Sequence, residues 1–372
     1  MEPMETATTV ERQLLERARH THTPINGSLE LLPICNMNCD MCYVRLSREE
    51  VQALGGLHTA DEWIAVGQQM KEAGVLFLLL TGGEPLLFPD FKRLYTELRS
   101  MGFIITINTN GTLVDEEWAD FFRRNKPRRV NITLYGANEE EYSRLCHYPA
   151  GFEKTVRGIR LLRQAGVDVK ISCSVTKVNQ YSLKQIFALG DELDAPVHID
   201  PYMVPAVRER KKPFSEQARI SPQDAARVSM EALKLQFPED MLRQYVEQAA
   251  ERVEDPDFPR GDGHISCLAG NCSFTVNWQG LMRPCVVLSE PSASVFEKGF
   301  AQAWTEIGSA AKKLVISPKC TACRFKPTCK TCAAAAVSET GDYEGIPEYL
   351  CQFSEEYYRI IKEMQEALHG EI

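Results

Sequence analysis

The residues best equipped for chemistry in this chain are its cysteines: thirteen among 372 residues. Cys35, Cys39 and Cys42 form a C-x3-C-x2-C triplet. Eight more crowd the last third of the chain: Cys267, Cys272, Cys285, Cys320, Cys323, Cys329, Cys332 and Cys351. Their spacing is C-x4-C, then Gly280 and Cys285 separated by four residues, then C-x2-C-x5-C-x2-C and a final cysteine. Cys146 and Cys173 stand apart. Thiolates select soft metals, zinc and iron–sulfur clusters foremost. The N-terminus, Met1-Glu2-Pro3-Met4-Glu5, is acidic where a secretory signal would be basic and then apolar. A cytoplasmic location is therefore expected, and in a reducing cytosol metal or redox chemistry explains so many thiols better than a disulfide framework. The longest apolar run, Val75–Leu80, is six residues, against roughly 20 for a membrane span. A formal net charge of −9 argues against bulk nucleic-acid binding.

Positioning such residues requires a scaffold, and its rhythm is legible. Apolar, β-branched runs at Leu29–Ile34, Leu76–Thr81, Phe103–Asn108, Val130–Tyr135, Val169–Val175 and Val197–Tyr202 read as strands. Between them, Ala60–Ala73, Asp90–Met101, Asp115–Arg124, Phe152–Ala165 and Ser182–Leu193 carry helical periodicity. Gly74, Gly102 and Gly166 suit left-handed helix ends. Six successive β-α units imply parallel strands with right-handed crossovers. Six is too few for the full eight-fold closure, so an α/β fold with a partial (β/α)6 TIM-like barrel is expected.

Alternation along four of these strands sorts polar from apolar residues. Thr106 and Asn108 share a face, as do Asn131, Thr133 and Tyr135; Lys170, Ser172 and Ser174; and His198, Asp200 and Tyr202. Ile105, Ile107, Ile132, Leu134, Ile171, Val175 and Ile199 lie opposite, toward the helices. A barrel packed for stability alone would be apolar on both faces, so the polar lumen reads as a ligand cavity.

The cysteine triplet follows the first strand, at the strand end where such barrels place chemistry. The second strand ends in Thr81-Gly82-Gly83-Glu84-Pro85. Three cysteines can hold three irons of a four-iron cluster and leave the fourth open. A structural zinc site would want four protein ligands. Over Ser28–Tyr202 the triplet and the Gly-Gly-Glu-Pro turn on successive units resemble those of radical S-adenosylmethionine (SAM) enzymes. The resemblance implies that Cys35, Cys39 and Cys42 hold the catalytic [4Fe–4S] cluster. It places Gly82, Gly83 and Glu84 at the methionine amino group of SAM, and Met41 beside the adenine where relatives often carry an aromatic. Asn108-Thr109-Asn110-Gly111 resembles the strand end near SAM, with Thr106, Asn108, Ser172 and Ser174 as ribose and carboxylate contacts.

The C-terminal cysteines resemble the SPASM extension of these enzymes, a small cysteine-rich α+β domain that binds two auxiliary [4Fe–4S] clusters. The resemblance implies one set of Cys267, Cys272, Cys285 and Cys332 and a second of Cys320, Cys323, Cys329 and Cys351. The last gap, Cys329 to Cys332, is one residue shorter than usual. A pair of zinc knuckles is the alternative. Cys146 and Cys173 are read as structural. The expected organisation is a helical extension over 1–27, with Val10–Arg19 its helix; a core over 28–235; a helical linker over 236–263; the SPASM domain over 264–352; and a C-terminal helix over 353–372.

The resemblance implies reductive cleavage of SAM to a 5′-deoxyadenosyl radical, which abstracts hydrogen from a substrate in the lumen. Asp200, His198, Tyr135 and Tyr202 are the candidate acid–base or positioning groups. A ribosomally made peptide is the expected substrate, modified by crosslinking or side-chain oxidation. A small-molecule or carbohydrate dehydrogenase is the alternative. A sulfatase-maturing enzyme is less favoured, because Val286 stands where those relatives carry an aspartate after the cysteine. Thirty-four residues before Cys35 are too few for a winged-helix leader-recognition domain, so a separate leader-binding protein is expected. The basic Arg208–Lys212 cluster would suit an acidic leader. The electron donor would be a flavodoxin or a ferredoxin.

Overall fold

A computed structural model of the protein describes residues 9–205 and 218–370; the Arg208–Lys212 cluster lies outside them. After the amphipathic helix α1 (Thr9–Thr21), the strands β1 (Asn26–Glu30), β2 (Phe77–Thr81), β3 (Ile104–Thr109), β4 (Arg129–Thr133), β5 (Val169–Ser174) and β6 (Val197–Asp200) run parallel in sequential order. Their crossovers carry α2 (Arg48–Ala53), α3 (Ala60–Glu72), α4 (Phe91–Ser100), α5 (Glu116–Arg124), α6 (Glu139–Cys146), α7 (Gly151–Gln164) and α8 (Leu183–Glu192). The six-unit partial barrel expected from the sequence is the fold observed.

Local sequence explains these elements. Helix α3 opens on a capping box, Thr59 with Glu62, and α2 on another, Ser47 with Glu50, each satisfying orphan amides of a first turn. Gly74, Gly102 and Gly166 take positive φ of 92°, 100° and 72°, which ends the preceding helices as a left-handed residue must. The seven helix-facing strand residues named above are all buried, each worth about 1.5–3 kcal/mol of apolar burial. Their polar alternates turn into the barrel.

The C-terminal region continues the sheet of the barrel. After α9 (Pro222–Gln236) and α10 (Glu239–Glu254), the strand β7 (Ser273–Val276) pairs parallel with β1, Asn26 opposite Ser273. Then β8 (Leu281–Arg283) and β9 (Ala293–Ser294) continue antiparallel, so one nine-stranded sheet runs β6-β5-β4-β3-β2-β1-β7-β8-β9. This is why β1 begins at Asn26, earlier than its apolar run: Asn26 and Gly27 are flanked by strands on both sides. Short helices α11 (Val295–Lys298), α12 (Phe300–Ala311), α13 (Pro318–Thr321) and α14 (Ala333–Thr340) carry the cysteine-rich segment. The last helix, α15 (Glu348–Gly370), includes Cys351 and packs along α9 and α10, joined by the Tyr245–Tyr357 hydroxyl contact of 2.6 Å. Among the described residues no helix is long and apolar enough to cross a membrane.

Candidate functional site

The loop bearing Cys35, Cys39 and Cys42 is fastened on two sides. Past the end of β1, Leu31 N donates to Thr81 O at 2.9 Å, while Gly83 N and Glu84 N donate to Leu32 O and Ile34 O at 2.6 and 2.9 Å. That contact demands glycine. A Cβ on Gly82 would lie 2.4 Å from Leu32 O, and one on Gly83 2.4 Å from Ile34 O. On the other side, Asn38 N and Asp40 N donate to Cys146 O and Leu145 O, each at 3.0 Å, and Asp40 Oδ1 meets His147 Nε2 at 2.7 Å. The Cys146 thiol also lies beside that of Cys39.

The thiols themselves are poised for a metal. Met37 N donates to Cys35 Sγ at 3.4 Å and Arg45 N to Cys42 Sγ at 3.3 Å. Burial pushes the Cys35 thiol up to about 12. The Cys146 contact, with burial, raises Cys39 as well. Such thiols ionise when a metal takes the proton's place. No three cysteine, histidine or carboxylate side chains among the described residues converge on a single-ion position. A multi-iron cluster does not require it, because each thiolate binds a different iron.

Glu84 is held by the chain itself. It is fully buried and does not line the cavity. Its Oε1 accepts from Leu86 N at 3.0 Å and Thr109 Oγ1 at 2.7 Å, and its Oε2 from Asn110 N at 2.8 Å. Asn110 Nδ2 in turn donates to Asn36 Oδ1 at 2.9 Å and approaches Cys35 Sγ at 3.7 Å. Glu84 is a brace joining the ends of β2 and β3 to the cysteine loop, because its carboxylate already serves three donors of the chain. Burial raises its carboxyl to about 7.

One cavity of about 410 Å³ collects most of the expected site. The triplet, Met41, Gly82, Gly83, Asn108, Ser174, Tyr135, Asp200 and Tyr202 all line it, with Thr109 and Asn110 beside them. Val286 and Val287, directly after Cys285, form part of its wall. Thr106, Ser172 and His198 do not reach it; they line a second chamber deeper in the lumen, of about 580 Å³. The reason is register: Ser172 lies beside His198, one lumen position below the Ser174–Asp200 pair. Asp200 opens onto the lumen with protein on most other sides, and that burial raises its carboxyl.

The eight C-terminal cysteines fall into two neighbourhoods. Cys267 faces Cys272 and Cys285, and Cys332 faces Cys285. Cys351 faces Cys329, Cys320 and Cys323. Burial pushes Cys272, Cys285 and Cys351 up to about 11. Cys332 caps α14, its sulfur accepting from Ala335 N at 3.5 Å, and it lies near Tyr202. Tyr202 donates to Glu339 Oε1 at 3.0 Å, and Glu339 Oε2 accepts from Arg219 Nη1 at 3.1 Å. Both members of that ion pair are buried, and Arg219 stacks on Tyr349 at 3.5 Å. This knot fastens the cysteine-rich segment to the cavity wall. Cys173 is buried on the helix side of β5, as expected.

Residues 29–182, which span the triplet and the Gly-Gly-Glu turn, match the family model described as the radical SAM superfamily. This chain carries a radical SAM domain. It is similar to the AdoMet-dependent heme synthase of Methanosarcina barkeri (strain Fusaro / DSM 804), at 28% identity over 340 residues, covering 87% of this chain and 95% of that protein. It is 23% identical to the sporulation killing factor maturation protein SkfB of Bacillus subtilis (strain 168), covering 82% of this chain and 69% of that protein. Among solved structures, Streptococcus suis SuiB bound to the precursor peptide SuiA superposes with a TM-score of 0.66 at 16% identity, covering 92% of this chain and 80% of that one. That last likeness is one of fold. The radical SAM family implies SAM and a four-iron cluster, and the three thiols beside a glycine turn fit them.

Sequence reasoning missed three parts of this radical SAM site. Asn110 stood inside the noted strand-end segment, but nothing local revealed that it links Glu84 to Cys35. The placement of Cys146 beside Cys39 needs the tertiary path of α6. The Arg219–Glu339 pair joins residues 120 apart in sequence, a separation no motif reports.

Proposed function

We propose that this radical SAM enzyme abstracts a hydrogen atom from a ribosomally made peptide held in the lumen, forming a crosslink or oxidising a side chain. The observation that carries the reading is the single cavity shared by the triplet, the Gly82–Gly83 turn, the polar strand ends and the Val286–Val287 segment of the cysteine-rich region. Cys35, Cys39 and Cys42 would hold the catalytic cluster. When bound, that cluster supplies the electron that cleaves SAM to methionine and a 5′-deoxyadenosyl radical. The backbone at Gly82 and Gly83, with Asn108 and Ser174, would orient SAM, and Met41 would pack by its adenine. Half-buried Tyr135 and the aliphatic Val286 and Val287 of the cavity wall would keep water from the radical. Asp200 Oδ1 accepts from Tyr202 N at 3.2 Å, which leaves Oδ2 to take the proton lost as the substrate is oxidised.

The two C-terminal cysteine neighbourhoods would hold two auxiliary [4Fe–4S] clusters, the one containing Cys285 and Cys332 nearer the cavity and placed to accept the second electron that leaves the substrate with that proton. A flavodoxin or ferredoxin would supply electrons, and a separate protein would bring the leader. The relatives support a peptide in part: SkfB is a maturation protein and SuiB holds a precursor peptide. A second reading, a tetrapyrrole substrate in place of a peptide, is favoured by the match along 95% of a heme synthase.

Anaerobic reconstitution with iron, sulfide and SAM tests both. About twelve irons per chain are expected for three clusters, and Cys35→Ala should abolish SAM cleavage. Mass spectrometry of a peptide encoded beside the gene should show loss of hydrogen under reducing conditions. Unchanged peptide with a mass change in added iron-coproporphyrin III would replace the first reading by the second.

A further inference from the structure

The face of α6 that meets the cysteine loop carries Tyr142 and Cys146, both fully buried. Residues four apart on a helix lie over one another on one face. Tyr142 reaches Tyr135: its hydroxyl oxygen accepts from Tyr135 N at 3.2 Å, and the two rings meet edge to face with centroids 6.2 Å apart. Cys146 reaches Cys39. The loop is laid against the end of the helix by the bonds from Asn38 N and Asp40 N to Cys146 O and Leu145 O, and Cys39 stands between those two donors. Tyr135 is pinned a second time, its carbonyl accepting from Asn179 Nδ2 at 2.9 Å. Held at both backbone atoms, it carries its hydroxyl into the cavity wall among the sulfurs, with Cys39 foremost and Cys146, Cys42 and Cys35 around it.

The three sulfurs of the triplet therefore stand in different company. Cys35 takes the Met37 N–H and has the Asn110 amide 3.7 Å away, and Cys42 takes the Arg45 N–H. Cys39 has a thiol and a phenol against its sulfur, those of Cys146 and Tyr135. While Cys39 keeps its proton, that S–H can serve Cys146. Once a metal takes the proton's place, the S–H left in the contact belongs to Cys146, and the Cys39 sulfur can only accept. The Tyr135 O–H is the second donor within reach. We propose that Tyr135 and Cys146 act through Cys39 as positioning residues: both donate to its metal-bound thiolate, and together they raise the potential at which the group held by the triplet accepts its electron. The proposal rests on the reading that Cys35, Cys39 and Cys42 hold a four-iron cluster. Reduction adds negative charge to such a cluster and its sulfurs. Donors to a sulfur favour the reduced state and move the potential up, the more so away from water. The pair would thus decide how strong a reductant the enzyme needs before it can cleave SAM.

Redox poising of the anaerobically reconstituted holoenzyme tests this, with the reduced clusters read by electron paramagnetic resonance. The component that changes on adding SAM belongs to the triplet. Tyr135→Phe and Cys146→Ala each delete one donor with little change of shape. Each should lower the midpoint potential, so that the reduction equilibrium falls by about threefold or more, a fraction of what a hydrogen bond to a charged group contributes. The double variant should fall further. Cys146→Ser keeps a donor and should return toward wild type. Tyr135 replaced by 3-fluorotyrosine, a stronger O–H donor of nearly the same shape, should raise the potential. Cys173→Ala, a buried thiol on the helix side of β5, should not move it. Equal potentials in wild type, Tyr135→Phe, Cys146→Ala and the fluorinated protein overturn the proposal. So does a loss of iron in the variants with an unchanged potential in the cluster that remains, which would make the two residues packing groups alone. A wild-type chain that takes up no SAM-responsive cluster removes the reading beneath the proposal, and the proposal with it.

Discussion

Glu84→Gln isolates the brace that holds the cysteine loop, and its effect has a sign that changes with pH. In the wild type, Oε1 serves Leu86 N and Thr109 Oγ1 while Oε2 serves Asn110 N. A glutamine can keep the first two contacts, but its NH2 then faces the Asn110 N–H. One buried donor loses its acceptor, a cost of about 1–3 kcal/mol. The wild-type carboxyl carries a different cost. Burial raises it from the ordinary 4.5 to about 7, so its contribution to stability is fully present below pH 4.5 and is lost as pH rises through 7. The loss amounts to about 3 kcal/mol by linkage. Glutamine does not titrate and escapes it. The variant should therefore be clearly less stable than wild type at pH 5, and the gap should close or reverse by pH 8. Thermal unfolding of the cluster-free protein under reductant, at intervals from pH 5 to 8, measures this directly. A gap that stays constant across that range, or no gap at pH 5, would refute the assignment of Glu84 as a buried, hydrogen-bonded brace.

Three further outcomes follow from the geometry. Gly83→Ala puts a methyl 2.4 Å from Ile34 O, so it should displace the cysteine loop and cut both cluster retention and SAM binding, read by iron content and equilibrium dialysis. Glu339→Gln removes the buried acid that meets Arg219 and should destabilise by about 3–5 kcal/mol; replacing Arg219 and Glu339 together by Met and Leu should recover much of that loss in denaturant melts. Replacing Cys320 and Cys323 together by alanine should lower iron by about four per chain while the iron held by the triplet remains.

The barrel was legible because its cause is local. Strand alternation, capping pairs such as Thr59 with Glu62, and terminal glycines such as Gly74 each act within a few residues. The triplet and its glycine turn were legible for the same reason, since close spacing is what lets thiols share one group. The depth of each lumen residue was not. Thr106 and Asn108 share a face, yet only Asn108 reaches the upper cavity, and that follows from the stagger between strands. The direction of the Glu84 carboxylate was not legible either: a motif shows which residues gather, while hydrogen bonds from Thr109 and Asn110 decide which way a carboxylate turns. The seam between β1 and β7 was unreadable for a related reason: a four-residue strand announces no partner.

That seam also limits how the molecule can be divided. Cutting the chain near Gly263 would strip β7 from β1 and leave a parallel strand with its amides and carbonyls bare along one side. Such an edge invites pairing with other chains. A shortened barrel should therefore aggregate rather than survive as a smaller enzyme. Mechanically, the triplet follows the C-terminal end of β1, while Cys272 immediately precedes β7, the strand paired beside it. Their separation is then fixed by one hydrogen-bonded strand pair rather than by a flexible tether, and any motion of one half must bend the sheet that carries both.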